Sequence, residues 1–315
     1  MAYYRSLTFA ETTKKSYSTH LSAFLEYCRL TNQQPWEINV QNTLRFIAYL
    51  AQKLQYTSIT QYANIIRLMC LESGVPNPLQ TWPVRSLMKG IKRAKGNAVK
   101  HKLPITPGLL MQIRRMLTLT KPMDCILWAA YVTAFFTLLR KSNIVPPSPA
   151  QFDPLRHPIR GDLHLTPKGI ALTVKRSKTN QYQERAPQLP IPYLKDHPLC
   201  PTSALLAVLA LKSDLPPSAP LFAYPTHQGL FPLTQSVFTR TLHKLLLAIG
   251  IPADEYGSHS FRRGGATWAF KAGLPGEVIQ ILGDWQSDCY KQYLDLDINV
   301  KFQLMTIFTN NLPKD

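Results

Sequence analysis

Acidic residues are scarce in this 315-residue chain: 18 Asp and Glu stand against 36 Lys and Arg. Residues 73–123 contain none, yet they hold Arg85, Lys89, Lys92, Arg93, Lys95, Lys100, Lys102, Arg114, Arg115 and Lys121, which carry +10 of the net +18. A field of that sign and density favours a polyanionic partner, nucleic acid before membrane, because phosphate neutralisation releases counterions and steers encounter. The plainer alternative is a basic protein kept soluble by its charge. Cysteine is also sparse. The five cysteines, Cys28, Cys70, Cys125, Cys200 and Cys289, lie 42 or more positions apart with no Cys-x-x-Cys pair. That argues against a zinc module and suits a reducing compartment, so an intracellular setting is expected, the nucleus if the host is eukaryotic. Long apolar runs are missing as well. The longest uncharged apolar stretch, residues 125–139, has 15 residues, where a spanning helix needs about 20. The opening Met1-Ala2-Tyr3-Tyr4-Arg5-Ser6 lacks the apolar run of a signal peptide. No membrane association is expected, and no repeat or low-complexity tract is apparent.

What is present suffices for two compact domains: 45% hydrophobic content over this length can bury a sizeable core. Residues 1–95 read as four helices. Tyr17, Leu21, Phe24, Leu25 and Cys28 make one apolar face, on a helix that Thr12 or Thr13 would cap. Leu44, Ile47, Ala48 and Ala51 make a second, and Ile59, Tyr62, Ile65, Ile66 and Met69 a third. Pro83 opens a fourth helix with Val84, Leu87, Met88 and Ile91 inside and Arg85, Lys89, Lys92 and Arg93 elsewhere. Residues 96–103 have little apolar content and no helical period. They read as a basic linker, placed either to cross a phosphate backbone or simply to stay solvated.

From residue 104 to 315 the pattern is mixed. Helices are expected at 107–117 and 123–142. Alternation in Leu163, Leu165, Ile170, Leu172 and Val174 around Thr166-Pro167-Lys168-Gly169 signals a hairpin, with a third strand near 188–191. Sixteen of the 26 prolines lie between Pro146 and Pro232, so loops should be long there, with one helix opened by Pro201. Helices return at 234–249, ended by Gly250, at 259–272, ended by Gly273, and at 275–282. The fold class is mainly α with a small antiparallel β-sheet.

Several polar residues of the second half stand out together. Arg140 closes an apolar run and, taken alone, reads as a cation at a helix C-terminus. Lys178 sits in the turn Arg176-Ser177-Lys178-Thr179-Asn180, where a lysine is usually just solvated. His259 and Arg262 stand one turn apart at a helix start, a place that attracts phosphate, and Gly264-Gly265 follows so that another backbone can approach. In Gly283-Asp284-Trp285-Gln286-Ser287-Asp288-Cys289-Tyr290-Lys291-Gln292-Tyr293, Ser287 is a plausible N-cap that puts Tyr290 and Tyr293 on one face of a short helix.

The order Arg, Lys on a hairpin turn, His-x-x-Arg, Gly-x-Trp and a late Tyr resembles the tyrosine recombinase, or phage integrase, family over nearly the whole chain. The Trp-containing run is most similar to the crypton-like recombinases of eukaryotic mobile elements. The resemblance implies an N-terminal SAM-like core-binding domain and a mixed α/β catalytic domain. It implies that Arg140 and Arg262 clamp the scissile phosphate, that Lys178 and His259 match the hairpin lysine and the histidine, and that Tyr293 is the nucleophile, ahead of Tyr290. Two positions depart from the family pattern. Asn143 stands where Glu or Asp usually orients the first arginine. Asp284 stands where many members have His, while Trp285 beside it matches members that use Trp. Since an indole N–H can donate to a phosphate oxygen and a carboxylate repels it, Trp285 is the residue assigned.

Physical chemistry agrees with that carry-over. Attack on a phosphodiester builds negative charge on the non-bridging oxygens, and preorganised cationic donors there supply a large catalytic contribution. Guanidiniums are permanently charged and present paired donors. A phenol with pKa near 10 is only about 0.1% ionised at neutral pH, so Tyr293 needs a proton acceptor, and His259 is the candidate. The leaving 5′ oxygen needs a proton, which Lys178 can donate. No carboxylate cluster, His/Cys set or Gly-rich phosphate loop accompanies these residues, so no metal and no cofactor are expected. The resulting expectation is a recombinase that clamps double-stranded DNA between its two domains, gripping it through Arg85, Lys89, Lys92, Arg93, Lys95, Lys100 and Lys102. A homo-oligomer on DNA is expected, with the tail stripe Val300, Leu304, Ile307 and Phe308 docking on a neighbour or packing on its own domain. A catalytically inactive recombinase-derived DNA-binding protein and a type IB topoisomerase-like enzyme remain open alternatives.

Overall fold

The computed structural model describes residues 3, 7–96, 101–180, 182, 184–226, 229–294, 298, 301, 302, 305, 306 and 309. Linker residues 97–100, with Lys100, and the tail stripe Val300, Leu304, Ile307 and Phe308 lie outside the described residues. The chain divides into two compact units, Met1–Lys100 and His101–Asp315.

The first unit holds four helices among its described residues: α1 (Glu11–Thr31), α2 (Val40–Lys53), α3 (Tyr56–Ser73) and α4 (Trp82–Lys95). Neither Thr12 nor Thr13 caps α1, because both lie inside its first turn. Ala10 is the N-cap without a side-chain bond, and Glu11 places its negative charge against the positive end of the helix instead. Asn39 caps α2 by accepting from the Asn42 amide at 2.9 Å. The core gathers Phe24, Tyr27, Phe46, Ile47, Leu50, Ile59, Ile66, Val84 and Ile91. Two expected core positions face out: Leu25 and Ala48 are exposed, because Tyr27 and Phe46 turn the buried faces of α1 and α2 toward their larger side chains. On α4 the amphipathic split holds, with Val84 and Ile91 buried and Arg85, Lys89, Lys92, Arg93 and Lys95 exposed.

The second unit is built around α6 (Pro122–Phe136), whose side chains are buried from Cys125 to Phe135. A helix apolar all round must be enclosed. This one is flanked by α5 (Pro107–Arg115), α7 (Pro201–Leu211) and α9 (Ser258–Lys271), whose Leu110, Ile113, Leu205 and Phe261 join its core. The expected helix 123–142 is too long. It stops at Phe136, Leu138 takes a left-handed φ of 55°, and Arg140 follows in extended backbone before a short 3-10 turn, Lys141–Asn143. Arg140 is therefore not a helix C-terminus. The apolar run continued past the helix end because Leu138 belongs to a second cluster, with Ala266, Ile279, Trp285 and Tyr290.

The hairpin and third strand are present as β1 (Leu163–Thr166), β2 (Gly169–Thr173) and β3 (Gln188–Pro192), an antiparallel sheet in that order with Leu163 opposite Leu172 and Ile170 opposite Ile191. A second two-stranded sheet, β4 (Ala223–Thr226) with β5 (Gly229–Pro232), had no clear signal in the sequence. Helices α8 (Gln235–Ala248), α9, α10 (Gly276–Leu282) and a 3-10 segment, Asp288–Tyr293, complete the unit. The fold is mainly helical with a small antiparallel sheet. Gly264 and Gly265 allow α9 to press on main chain: a Cβ at either would collide with the carbonyl oxygen of Ile105 or of Phe135. Among the described residues no helix is long and apolar enough to cross a membrane.

Candidate active site

Two stretches far apart in sequence meet at the first turns of α9: the extended segment after α6, and the loop after α10 with the 3-10 segment Asp288–Tyr293 that continues it. Arg262 is at the centre and is 1% exposed. Its guanidinium donates to the carbonyls of Leu138 and of Gly283, the latter at 2.8 Å. It lies over the Trp285 indole at 3.7 Å from the ring centroid and over the Tyr293 ring at 5.5 Å. Among the described residues its hydrogen bonds go to main-chain carbonyls and its plane to π-faces, with no carboxylate in direct salt-bridge contact. Burial first, and the Arg140 charge second, lower its pKa to about 9, which still leaves it protonated at neutral pH.

Arg140, half-buried, carries a second positive charge close enough to act on both Arg262 and His259. His259 lies in the first turn of α9 with its ring centroid 6.2 Å from that of Tyr293. Its pKa is lowered, by loss of water around the ring first and then by the charges of Arg262, Arg140, Lys141 and Arg263. Neutral imidazole is thereby favoured, the form able to accept a proton.

The two tyrosines part company. Tyr290 is 6% exposed, packed against Trp285 and Gly276, and belongs to the small core cluster. Tyr293 is half-buried, with Arg262, Arg263, His259 and Trp285 around its ring. The expectation that both project from one face of a short helix is corrected in one respect: the segment is 3-10, and Ser287 makes no side-chain cap. Two residues not singled out before hold the segment on α9. Arg263 donates to the Gln292 carbonyl at 2.8 Å, and Thr267 donates to the Tyr293 carbonyl at 3.0 Å. They stand at i and i+4 of one helix, the only signal the sequence offered.

Trp285 is 5% exposed. Gly283 makes room for it, since a Cβ there would overlap the indole. Among the described residues, the indole nitrogen of Trp285 and Nε of Arg262 are buried without a hydrogen-bond partner. Asp284 has a left-handed φ of 52°. Its carboxylate accepts from Ser177 at 2.8 Å and from Thr179, and it pairs with Arg185. Lys178, exposed, lies between Ser177 and Thr179 on the turn that Asp284 holds. Asn143, buried, donates its backbone amide to the Arg140 carbonyl at 2.8 Å, while its side-chain amide donates to the Arg176 carbonyl at 3.0 Å, at the base of that same turn.

Among the basic candidates, Arg85, Lys89 and Lys92 line a groove on the first unit with Tyr56, Thr60 and Met88, and Lys92 stands over the Tyr56 ring at 5.6 Å. Lys102 is already engaged with the Asp254 carbonyl. Among the described residues no group of three or more His, Cys, Asp or Glu could hold a metal ion.

No family model matches the chain. It is 25% identical over 270 residues, 82% of this chain and 74% of the relative, to the integrase/recombinase xerD homolog of Selenomonas ruminantium. Among solved structures it is similar to the XerH site-specific recombinase bound to palindromic difH substrate in a post-cleavage complex. The TM-score there is 0.63 at 13% identity, covering 94% of this chain and 79% of that one. It is similar to the Tn1549 transposon integrase in complex with transposon right end DNA, with TM-score 0.62, 12% identity and coverage of 96% and 95%. A lambda integrase dimer bound to a COC′ core site gives TM-score 0.58, 16% identity and coverage of 93% and 74%. The fold is that of the tyrosine recombinases, and the xerD homolog supports the same resemblance from sequence.

Proposed function

We propose that this chain is a site-specific DNA recombinase that breaks and rejoins strands through a 3′-phosphotyrosyl intermediate. The observation that carries the reading is the placement of Tyr293 against Arg262, Trp285 and His259, while Tyr290 is consumed by packing. In this reading Arg140 and Arg262 neutralise the two non-bridging oxygens of the scissile phosphate. The unpartnered donors of Arg262 and Trp285 are groups that such an oxyanion would satisfy after a small rearrangement, and the absence of a carboxylate partner on Arg262 leaves the site electrostatically open to it.

The Tyr293 oxygen attacks phosphorus, its proton passes to neutral His259, the P–O5′ bond breaks, and Lys178 protonates the departing 5′ oxygen. Rejoining reverses each transfer: a 5′ hydroxyl displaces the phenol oxygen, so the diester energy is conserved in the phosphotyrosyl bond and no cofactor enters the balance. Exchange between duplexes requires a second protomer on DNA, hence a homo-oligomer there. The first unit serves as the core-binding domain, with Arg85, Lys89, Lys92, Arg93 and Lys95 on phosphates. The use of Trp285, beside the Asp284 that stands where many relatives place His, groups the chain with the crypton-like recombinases.

A nicked duplex that loses its short 5′ fragment on cleavage traps the covalent complex. The wild-type chain should become DNA-linked, Tyr293→Phe should lose linkage altogether, and Tyr290→Phe should retain it. Binding without any linkage would instead identify a recombinase-derived DNA-binding protein. Relaxation of a supercoiled plasmid without strand exchange would identify a topoisomerase-like enzyme.

A further inference from the structure

Asn143 and Asp284 both break the pattern that the rest of the site follows, and both reach the same place. Their partners all lie on residues 176–185, the connection between β2 and β3 that carries Lys178. Asn143 donates to the Arg176 carbonyl at 3.0 Å. The Asp284 carboxylate accepts from the hydroxyls of Ser177 and Thr179 on one oxygen and from Arg185 on the other. Ser177 in turn accepts from the amides of Thr179 at 3.2 Å and Asn180 at 3.1 Å, so the turn is organised around the hydroxyl that Asp284 holds. Gln286 closes the contact from the same side, donating to the Thr179 carbonyl at 2.8 Å.

We infer that Asp284 is a positioning residue for Lys178, a carboxylate latch that fastens the lysine turn to the segment bearing Trp285 and Tyr293. The inference rests on the recombinase reading above and deepens it. A lysine stem carries many rotamers, so fixing the backbone from which it springs narrows where its ammonium can reach. Anchoring both flanks of Lys178, at positions 177 and 179, fixes the origin of that stem while leaving the ammonium exposed. Asp284 keeps its carboxylate out of the phosphate pocket because its left-handed φ of 52° turns it toward the turn, and Asp is among the few residues that adopt this backbone readily. A residue that would repel phosphate is thereby spent on hydroxyls and a guanidinium. Asn143 holds the base of the connection from the Arg140 side, so the same turn is tied to both arginine-bearing parts of the site.

The test uses Asp284→Asn, which keeps the left-handed backbone and shape but removes the charge, together with Lys178→Ala and the double variant. On a nicked duplex with an ordinary 5′ oxygen leaving group, Asp284→Asn should slow covalent-complex formation about 10- to 100-fold, a part of the range general acid catalysis supplies. On the same duplex with a 5′-bridging sulfur, which departs as a thiolate and needs no proton, both single variants should recover to within a few-fold of wild type. Adding Asp284→Asn to Lys178→Ala should slow neither substrate further. Equal slowing on both substrates would show damage to the arginine pocket or the fold and would overturn the inference, as would an unslowed rate on oxygen. A second measurement stands apart from catalysis: amide hydrogen exchange across residues 177–180 in the DNA-free protein should quicken in Asp284→Asn with the rest of the second unit unchanged. Unchanged protection there overturns the latch even if the wild type makes no covalent complex, whereas absence of that complex overturns the recombinase reading alone.

Discussion

Two sets of cations exist in this chain under opposite conditions. Arg85, Lys89, Lys92, Arg93 and Lys95 stand exposed on one helix of the first unit, ringed by water. Arg262 is enclosed in the second unit against two carbonyls and an indole. The first set loses little on folding and is screened by salt within about 10 Å at 0.1 M, so it can attract a polyanion but not aim at one atom of it. Arg262 has been stripped of water in advance. It therefore acts at low effective dielectric and pays no reorganisation when charge develops on a phosphate. On the proposed function, the number of exposed charges should govern affinity and the placement of one buried charge should govern rate.

The sharpest way to break this contrast is Arg262→Lys, which keeps the charge but loses the fork that spans the Leu138 and Gly283 carbonyls. Covalent-complex formation at saturating DNA should fall by about 100- to 1000-fold, the range for removal of one preorganised donor. A rate within a few-fold of wild type would mean that charge alone matters, as it does on α4. A smaller effect is expected from pH. Because His259 is held below its ordinary pKa of 6.5, its neutral form persists as pH falls. The rate at subsaturating DNA, which reports the free enzyme, should stay level from pH 8 to 6.5 and decline only below that. A midpoint above 6.5 would remove His259 as the base. The least effect on chemistry should come from Lys92→Gln, Arg93→Gln and Lys95→Gln combined. The slope of log affinity against log salt should shrink by up to about 3, at roughly 0.9 per phosphate contact, with the rate at saturation unchanged. An unchanged slope would return these charges to a solubility role.

What was legible in the sequence followed distance along the chain. Alternation at Leu163, Leu165, Ile170 and Leu172 is local and periodic, and it foretold the hairpin of β1 and β2. Of the ordered set Arg140, Lys178, His259, Arg262 and Tyr293, the fold brings Arg262 and His259 to the Tyr293 ring and Arg140 within electrostatic reach of both. Where burial erases period, the reading failed: nothing in Thr137-Leu138-Leu139 marks the end of α6, because Leu138 is as buried as the helix before it. Prolines hid β4 and β5, since Pro225 and Pro232 within four-residue strands read as breakers. What holds Asp284 was hidden for a different reason. Its partners lie 99 to 107 residues away, and a carboxylate beside a phosphate pocket looks repulsive until the direction of its backbone is known.

The paired glycines of α9 bear on how such a site tolerates change. Because Gly264 and Gly265 rest on the carbonyl oxygens of Ile105 and Phe135, the helix carrying Arg262 is seated on atoms that every residue type possesses. Substitutions among the surrounding apolar side chains can be absorbed by repacking without altering that seat. The spacing between the helix and the segment of Arg140 is thus set largely by main chain, and it is vulnerable at these two glycines to as little as a methyl group.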